Sequence, residues 1–272
     1  MSRALWVNKL LTATFPQTWM IARMTRWPLI GKKIDDWLFE GDDMILLPRE
    51  KVIPVNQSVA DPGQMCLPSA VVEHFINQAR FHWIMNECIC RAGMGCKNHP
   101  IDLGCIFLGK AAMQINPKIG RQASKDETLM HAKKCREAGL VHLIGKNKLD
   151  EVWLNVHPGN QLLTICNCCA CCCIWNNIPV LAEDISRKVT RMPGVEVRVN
   201  DDCTGCGLCA DEVCFADAIK MVEGKAIISD ACRGCGRCVS VCDQAAIDFT
   251  ISNNQFLEQS IERIAKVVDV LT

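Results

Sequence analysis

Twenty of the 272 residues are cysteine, and they stand in tight groups rather than spread through the chain. Cysteines this close cannot readily pair with each other, because a disulfide needs a specific Cα separation and Cβ direction. Secreted disulfide scaffolds are also usually much shorter. The N-terminus does not read as a secretory signal, since Asn8, Lys9 and Pro16 interrupt its apolar residues. No apolar run is long enough to span a bilayer. The expected setting is a reducing cytoplasm, and the expected use of the thiols is metal ligation. A formal net charge of zero gives no reason to expect nucleic acid as a partner.

Eight of the cysteines form an internal repeat. One copy is Cys203-Thr-Gly-Cys206-Gly-Leu-Cys209 followed by Cys214, and the other is Cys232-Arg-Gly-Cys235-Gly-Arg-Cys238 followed by Cys242. Each is trailed by an Ala-Ile pair, Ala218-Ile219 and Ala246-Ile247, and the copies lie 29 residues apart. A cubane cluster needs four thiolates at tetrahedral corners. A tight loop supplies three, and Gly205, Gly207, Gly234 and Gly236 let it curl. Structural zinc usually takes separated Cys-x2-Cys pairs instead, so the triplets point to iron–sulfur clusters.

Residues 194–251 resemble bacterial two-cluster [4Fe–4S] ferredoxins. In such proteins the fourth ligand of each cluster comes from the other repeat. The resemblance therefore implies one [4Fe–4S] cluster on Cys203, Cys206, Cys209 and Cys242, and a second on Cys232, Cys235, Cys238 and Cys214. It also implies a βαββαβ fold and low-potential one-electron transfer. Two departures stand out. Phe215 and Asp243 replace the usual proline after the fourth cysteine, and the first repeat has four residues before Cys214 where three are usual.

Ten more cysteines lie upstream: Cys88, Cys90, Cys96, Cys105, Cys166, Cys168, Cys169, Cys171, Cys172 and Cys173. Six thiols within eight residues, 166–173, are a redox liability without a metal. Alternate residues point in different directions, so a subset is expected to ligate. Cys88-Ile-Cys90-Arg91, Gly95-Cys96, Cys105, Gly139-Leu140-Val141-His142 and Cys166-Asn167-Cys168-Cys169 resemble 4Fe-4S binding proteins of anaerobes, over residues 83–174. That resemblance implies an anaerobic electron-transfer setting. At least one additional iron–sulfur cluster is expected here, with zinc or plain thiols as the other readings. Cys66 and Cys135 stand alone and are expected to serve packing or surface. His99, three residues after Cys96, is a candidate for the rarer imidazole ligation.

The expected class is α+β. Residues 1–60 read as a basic, Trp-rich extension, 61–180 as a mostly helical Cys-rich metal-binding domain, and 181–272 as the ferredoxin-like domain with a C-terminal helix. Ser69 is placed to cap a helix whose apolar face runs Val72, Phe75, Ile76, Ala79 and Trp83. Ser124 and Glu127 form a capping-box pattern for a second helix that stops at Gly139. In the extension, Trp19, Met20, Ile21, Met24 and Trp27 alternate with Arg23 and Arg26. Residues 1–34 carry six bases and no acid. Such a piece either lies against a membrane surface or packs on protein.

No Gly-x-Gly-x-x-Gly fingerprint, Walker loop or Ser-His-Asp order is present. Ligands outnumber catalytic groups. The expected function is an electron-transfer subunit or adaptor that hands electrons to partner redox proteins. The alternatives are a reductase with a substrate-binding upstream cluster, and a cluster assembly or activation factor.

Overall fold

Short apolar runs between turn residues build one mixed sheet that carries the whole upstream half. The structure is a computed structural model, and it describes residues 3–52 and 67–272. Cys66 lies outside the described residues. The strands are β1 (Asp43–Leu46), β2 (His82–Met85), β3 (Ile106–Leu108), β4 (Gly120–Gln122), β5 (Val141–Lys146), β6 (Leu163–Cys168) and β7 (Val189–Arg191). Their order is β4-β2-β3-β6-β5-β1-β7. Every neighbouring pair is antiparallel except β1 with β7.

The helices are α1 (Leu5–Ala13), α2 (Thr18–Met24), α3 (Ile30–Leu38), α4 (Ser69–Gln78), α5 (Ile89–Met94), α6 (Lys125–Glu137), α7 (Lys148–Leu154), α8 (Glu183–Ser186), α9 (Arg237–Ser240) and α10 (Phe256–Ala265). The chain is thus α+β, as expected. The mostly helical reading of 61–180 is corrected in one respect: β2 to β6 arise there, and the helices pack on them. Apart from the edge strand β4, these strands are three to six residues long and buried on both faces, so they lack the alternation that marks a half-exposed strand.

The 1–60 extension is corrected as well. Met44, Ile45 and Leu46 are buried, and β1 sits inside the sheet between β5 and β7. The 180/181 boundary moves too, because β7 still belongs to the large sheet. One face of the sheet (Ile45, Ile84, Ile106, Ile144, Ile165) shares a core with Val72, Phe75 and Ile76 of α4 and Ala132 of α6. The opposite face (Met44, Leu46, Val141, Leu143, Cys168) packs on Ala22 of α2, Trp175 and Ile178.

Local signals behave as their chemistry predicts, with two changes. Ser124 accepts from the Glu127 amide while the Glu127 carboxylate accepts from the Ser124 amide, and Gly139 follows at φ 78°. Ser69, by contrast, donates its amide to Glu50 Oε1 at 3.1 Å, so the glutamate does the capping. The α4 face ends before Trp83, which lies on β2.

The C-terminal module contains β8 (Val195–Val199), β9 (Ile219–Val222), β10 (Lys225–Ile228) and β11 (Ile247–Ile251). β8 pairs antiparallel with β11, and β9 with β10. The second repeat forms α9, but the first forms only turns and bends at 208–212. Its extra residue is accommodated by Glu212 in the left-handed region, at φ 53°, which no helix tolerates. One of the two helices of the βαββαβ expectation is therefore missing. α10 buries Phe256, Ser260 and Ile264, and Arg263 reaches back to both oxygens of Asp43 on β1. That ion pair and the shared apolar core fasten the module to the large sheet.

Candidate metal centres

The two repeat loops close on each other. One cavity is lined by Cys203, Cys206 and Cys209 together with Cys242, and a second by Cys232, Cys235 and Cys238 together with Cys214. Each cavity thus takes its fourth cysteine from the other repeat. Gly205 is required by contact: at φ 73°, a Cβ there would lie 1.9 Å from the Gly224 carbonyl oxygen.

Backbone amides point at the sulfurs. Cys214 accepts from Ala218 N at 3.3 Å, Cys242 from Ala246 N at 3.3 Å and Cys232 from Gly234 N at 3.4 Å. The amides of Ala226 and Gly205 hold Cys203 below the usual thiol range. Such N–H···S bonds favour the thiolate form that a cluster requires. The two cavities differ in setting. Cys206 is exposed, whereas Cys235 and Cys238 are buried. Burial, followed by the neighbouring thiols Cys235, Cys232 and Cys214, pushes Cys238 up to about 12. The chain thus has two four-cysteine cavities fit to hold an iron–sulfur cluster, an outer one with exposed Cys206 and an inner one beside the large sheet.

Of the ten upstream cysteines, Cys166, Cys168 and Cys173 share an apolar cluster with Cys214, Cys232 and Cys235 of the inner cavity. The grouping follows from strand register. Ile106 pairs with Ile165 across β3 and β6, which places Cys105 opposite Cys166. Cys166 and Cys168 are two apart on β6 and share a face. The chain after β6 turns back, so that Cys173 Sγ lies 3.2 Å from Cys168 Sγ. Cys88 and Cys90 come from the start of α5, where Cys88 N bonds Ile101 O at 2.8 Å.

Six sulfurs form a closed ring. Each interacts with two neighbours, in the order Cys166, Cys105, Cys88, Cys90, Cys173 and Cys168, and Cys173 Sγ donates to Cys168 Sγ. Contact with the thiols of Cys105 and Cys90 holds Cys88 far below the ordinary thiol value, and contact with those of Cys168 and Cys90 does the same for Cys173. The neighbouring thiols Cys105 and Cys168, together with burial, raise Cys166. A metal bound by these sulfurs would displace their thiol protons. The other four, Cys96, Cys169, Cys171 and Cys172, form a separate group nearer the surface.

A polar layer backs the ring. Arg91 is fully buried and donates from Nε to Pro100 O at 2.8 Å, from Nη1 to Asn167 O at 2.7 Å, and from Nη2 to Leu103 O. Asn167 in turn donates to Gly104 O at 2.7 Å and shares a 2.8 Å bond with His142 Nδ1. Burial pushes His142 down to about 4, so it is neutral near pH 7. The motif residues Arg91, His142 and Asn167 are thus one network, and its cation offsets the charge of the neighbouring thiolates.

The link between the two regions is a residue that cysteine spacing alone did not single out. Arg237 stands between Cys235 and Cys238, is buried, and donates Nη2 to the Cys168 carbonyl at 2.8 Å. Its guanidinium lies 5.5 Å from the centre of the Phe215 ring. Phe215 is one of the two replacements for the usual proline. The available signal was Cys235-Gly-Arg-Cys238, where a charged residue sits inside a ligand loop.

Two lone candidates resolve simply. Cys135 is buried, and that burial pushes it up to about 12, as suits a packing thiol. His99 directs Nδ1 to Ala138 O at 3.1 Å, while its backbone amide, not its ring, reaches the Cys96 sulfur.

Among known families, the LdpA Fe-S cluster-binding domain matches residues 210–252. The match spans the whole second repeat and Cys214 of the first. It supports an Fe–S cluster-binding domain at the C-terminus, and with the grouped cysteines it marks the chain as an iron–sulfur protein. No curated protein and no solved structure matches the chain.

Proposed function

We propose that this chain is an electron-transfer protein that passes low-potential electrons from a two-cluster ferredoxin-like module, through a further iron–sulfur centre on the upstream cysteines, to a partner redox enzyme. The observation that carries the reading is the Arg237 bond to Cys168 O, which joins the inner ligand loop directly to the six-thiol ring. Cys235, Cys214 and Cys232 also share one apolar cluster with Cys166, Cys168 and Cys173. Cys203, Cys206, Cys209 and Cys242 would hold the outer cubane, and Cys214, Cys232, Cys235 and Cys238 the inner one. A bound cluster supplies one-electron exchange. The chain's own part is to fix the thiolates, aim amides at the sulfurs, and keep water from the buried sites. The outer cavity is the entry point and the upstream ring the interior station.

A reductive titration without oxygen tests this. The expected result is reversible reduction in more than one step, with no substrate present. Irreversible bleaching at the first step, or no reducible centre, contradicts it.

We also propose that the N-terminal helices dock on an anionic membrane surface. Ala22 and Thr25 face the protein, while Trp6, Trp19, Trp27, Trp37 and Leu29 are exposed and Arg23 stacks 4.7 Å from the Trp19 ring. Exposed tryptophans with bases among them have the chemistry for such a surface. Among the described residues no helix is long and apolar enough to cross a membrane. The full chain is expected to sediment with anionic vesicles at low salt, and Trp19→Gln with Trp27→Gln to abolish this. Equal binding by the double variant, or none by the full chain, ends the idea.

A further inference from the structure

The group Cys96, Cys169, Cys171 and Cys172 differs from both ferredoxin-like sites in spacing. Its four sulfurs all lie within 4.8 Å of one another. Cys96 and Cys171 are 3.7 Å apart, and Cys171 and Cys172 are 3.3 Å apart. A metal–thiolate bond of about 2.3 Å in tetrahedral geometry places sulfurs about 3.8 Å from each other. The group is therefore spaced around a single ion. A cubane instead spreads its four thiolates around a core of eight atoms, as the cavities beside Cys203 and Cys232 allow.

The surroundings are those of a built site. The Cys172 amide donates to Cys169 Sγ at 3.3 Å. The amides of Asn98 and His99 donate to Cys96 Sγ, two and three residues on. Both turns fold the backbone over a sulfur. The sulfurs of Cys169 and Cys172 are covered by Leu140 and Cys135, while Cys171 opens to solvent. An ion has an entry path there and a closed coordination shell once bound.

We propose that these four cysteines bind one mononuclear metal ion, zinc or iron, in tetrahedral four-thiolate coordination, separate from every iron–sulfur cluster in the chain. All-sulfur tetrahedral sets select these metals. The position gives the ion a structural task. Cys96 ends the segment that begins with Cys88 and Cys90, and the 169–172 loop joins Cys168 to Cys173. The ion ties these two segments together over the six-thiol ring. This inference does not depend on the electron-transfer reading, since a redox-silent zinc would serve as well.

The test is metal and acid-labile sulfide analysis of the full chain, purified without oxygen, beside the double variant Cys96→Ser with Cys171→Ser. Both side chains are accessible, so the substitution leaves the core intact. The expected result is one metal ion beyond the iron matched by sulfide, either one zinc or one unmatched iron, lost in the variant while sulfide is unchanged. Cobalt grown into the wild type is expected to show the absorption of a tetrahedral cobalt thiolate, absent in the variant. Loss of iron and sulfide together in the variant would show that the group holds part of a cluster. No loss of metal at all would show free thiols. Either outcome overturns the proposal.

Discussion

Replacing Arg91 with leucine is expected to cost about 3–5 kcal/mol of stability, the range for breaking a buried charge interaction. The side chain has no exposure and donates to the carbonyls of Pro100, Asn167 and Leu103, which would all lose their partner. Each buried acceptor left unmatched costs roughly 1–3 kcal/mol. The guanidinium also lies beside Cys88 and helps to hold it as a thiolate. Upstream metal is therefore expected to fall together with stability. Arg91→Lys is expected to recover little, because an ammonium cannot serve three carbonyls in a planar fork. Urea unfolding without oxygen, followed by metal analysis, reads both effects. A leucine variant within about 1 kcal/mol of the wild type, with its metal retained, would show that the network is incidental.

Cys168→Ser and Cys203→Ser are expected to have reciprocal effects. Cys168 is buried, touches Cys173 through sulfur, and lies on β6 two residues from Cys166. Its loss is expected to empty the six-thiol ring and leave the ferredoxin-like module loaded. Cys203 lines only the outer cavity. Its loss is expected to remove about four iron and four sulfide and to spare the inner and upstream sites. Low-temperature paramagnetic resonance of the reduced variants separates the two. If either substitution abolishes all iron binding, the division into modules is wrong.

The local devices were legible in the sequence and the long-range ones were not. The Cys203 and Cys232 repeats and the capping box at Ser124 are each contained in a few consecutive residues, whose geometry is local. The partition of the upstream cysteines is different in kind. That Cys105 faces Cys166 depends on the register of β3 against β6, and that Cys96 meets Cys171 depends on where a loop returns. Neither is encoded at short range. Arg237 shows the same limit, because its partner is a carbonyl on another element. The position of β1 was hidden for another reason. A four-residue run buried on both faces reads the same as any short core segment.

The most direct test of the account is the iron and acid-labile sulfide content per chain, measured on protein purified without oxygen. Two cubanes in the ferredoxin-like module bring about eight of each. More than that is expected, with the excess lost in Cys168→Ser. A value of about eight or fewer, unchanged by that substitution, would contradict it, because the upstream ring would then hold no cluster for electrons to reach.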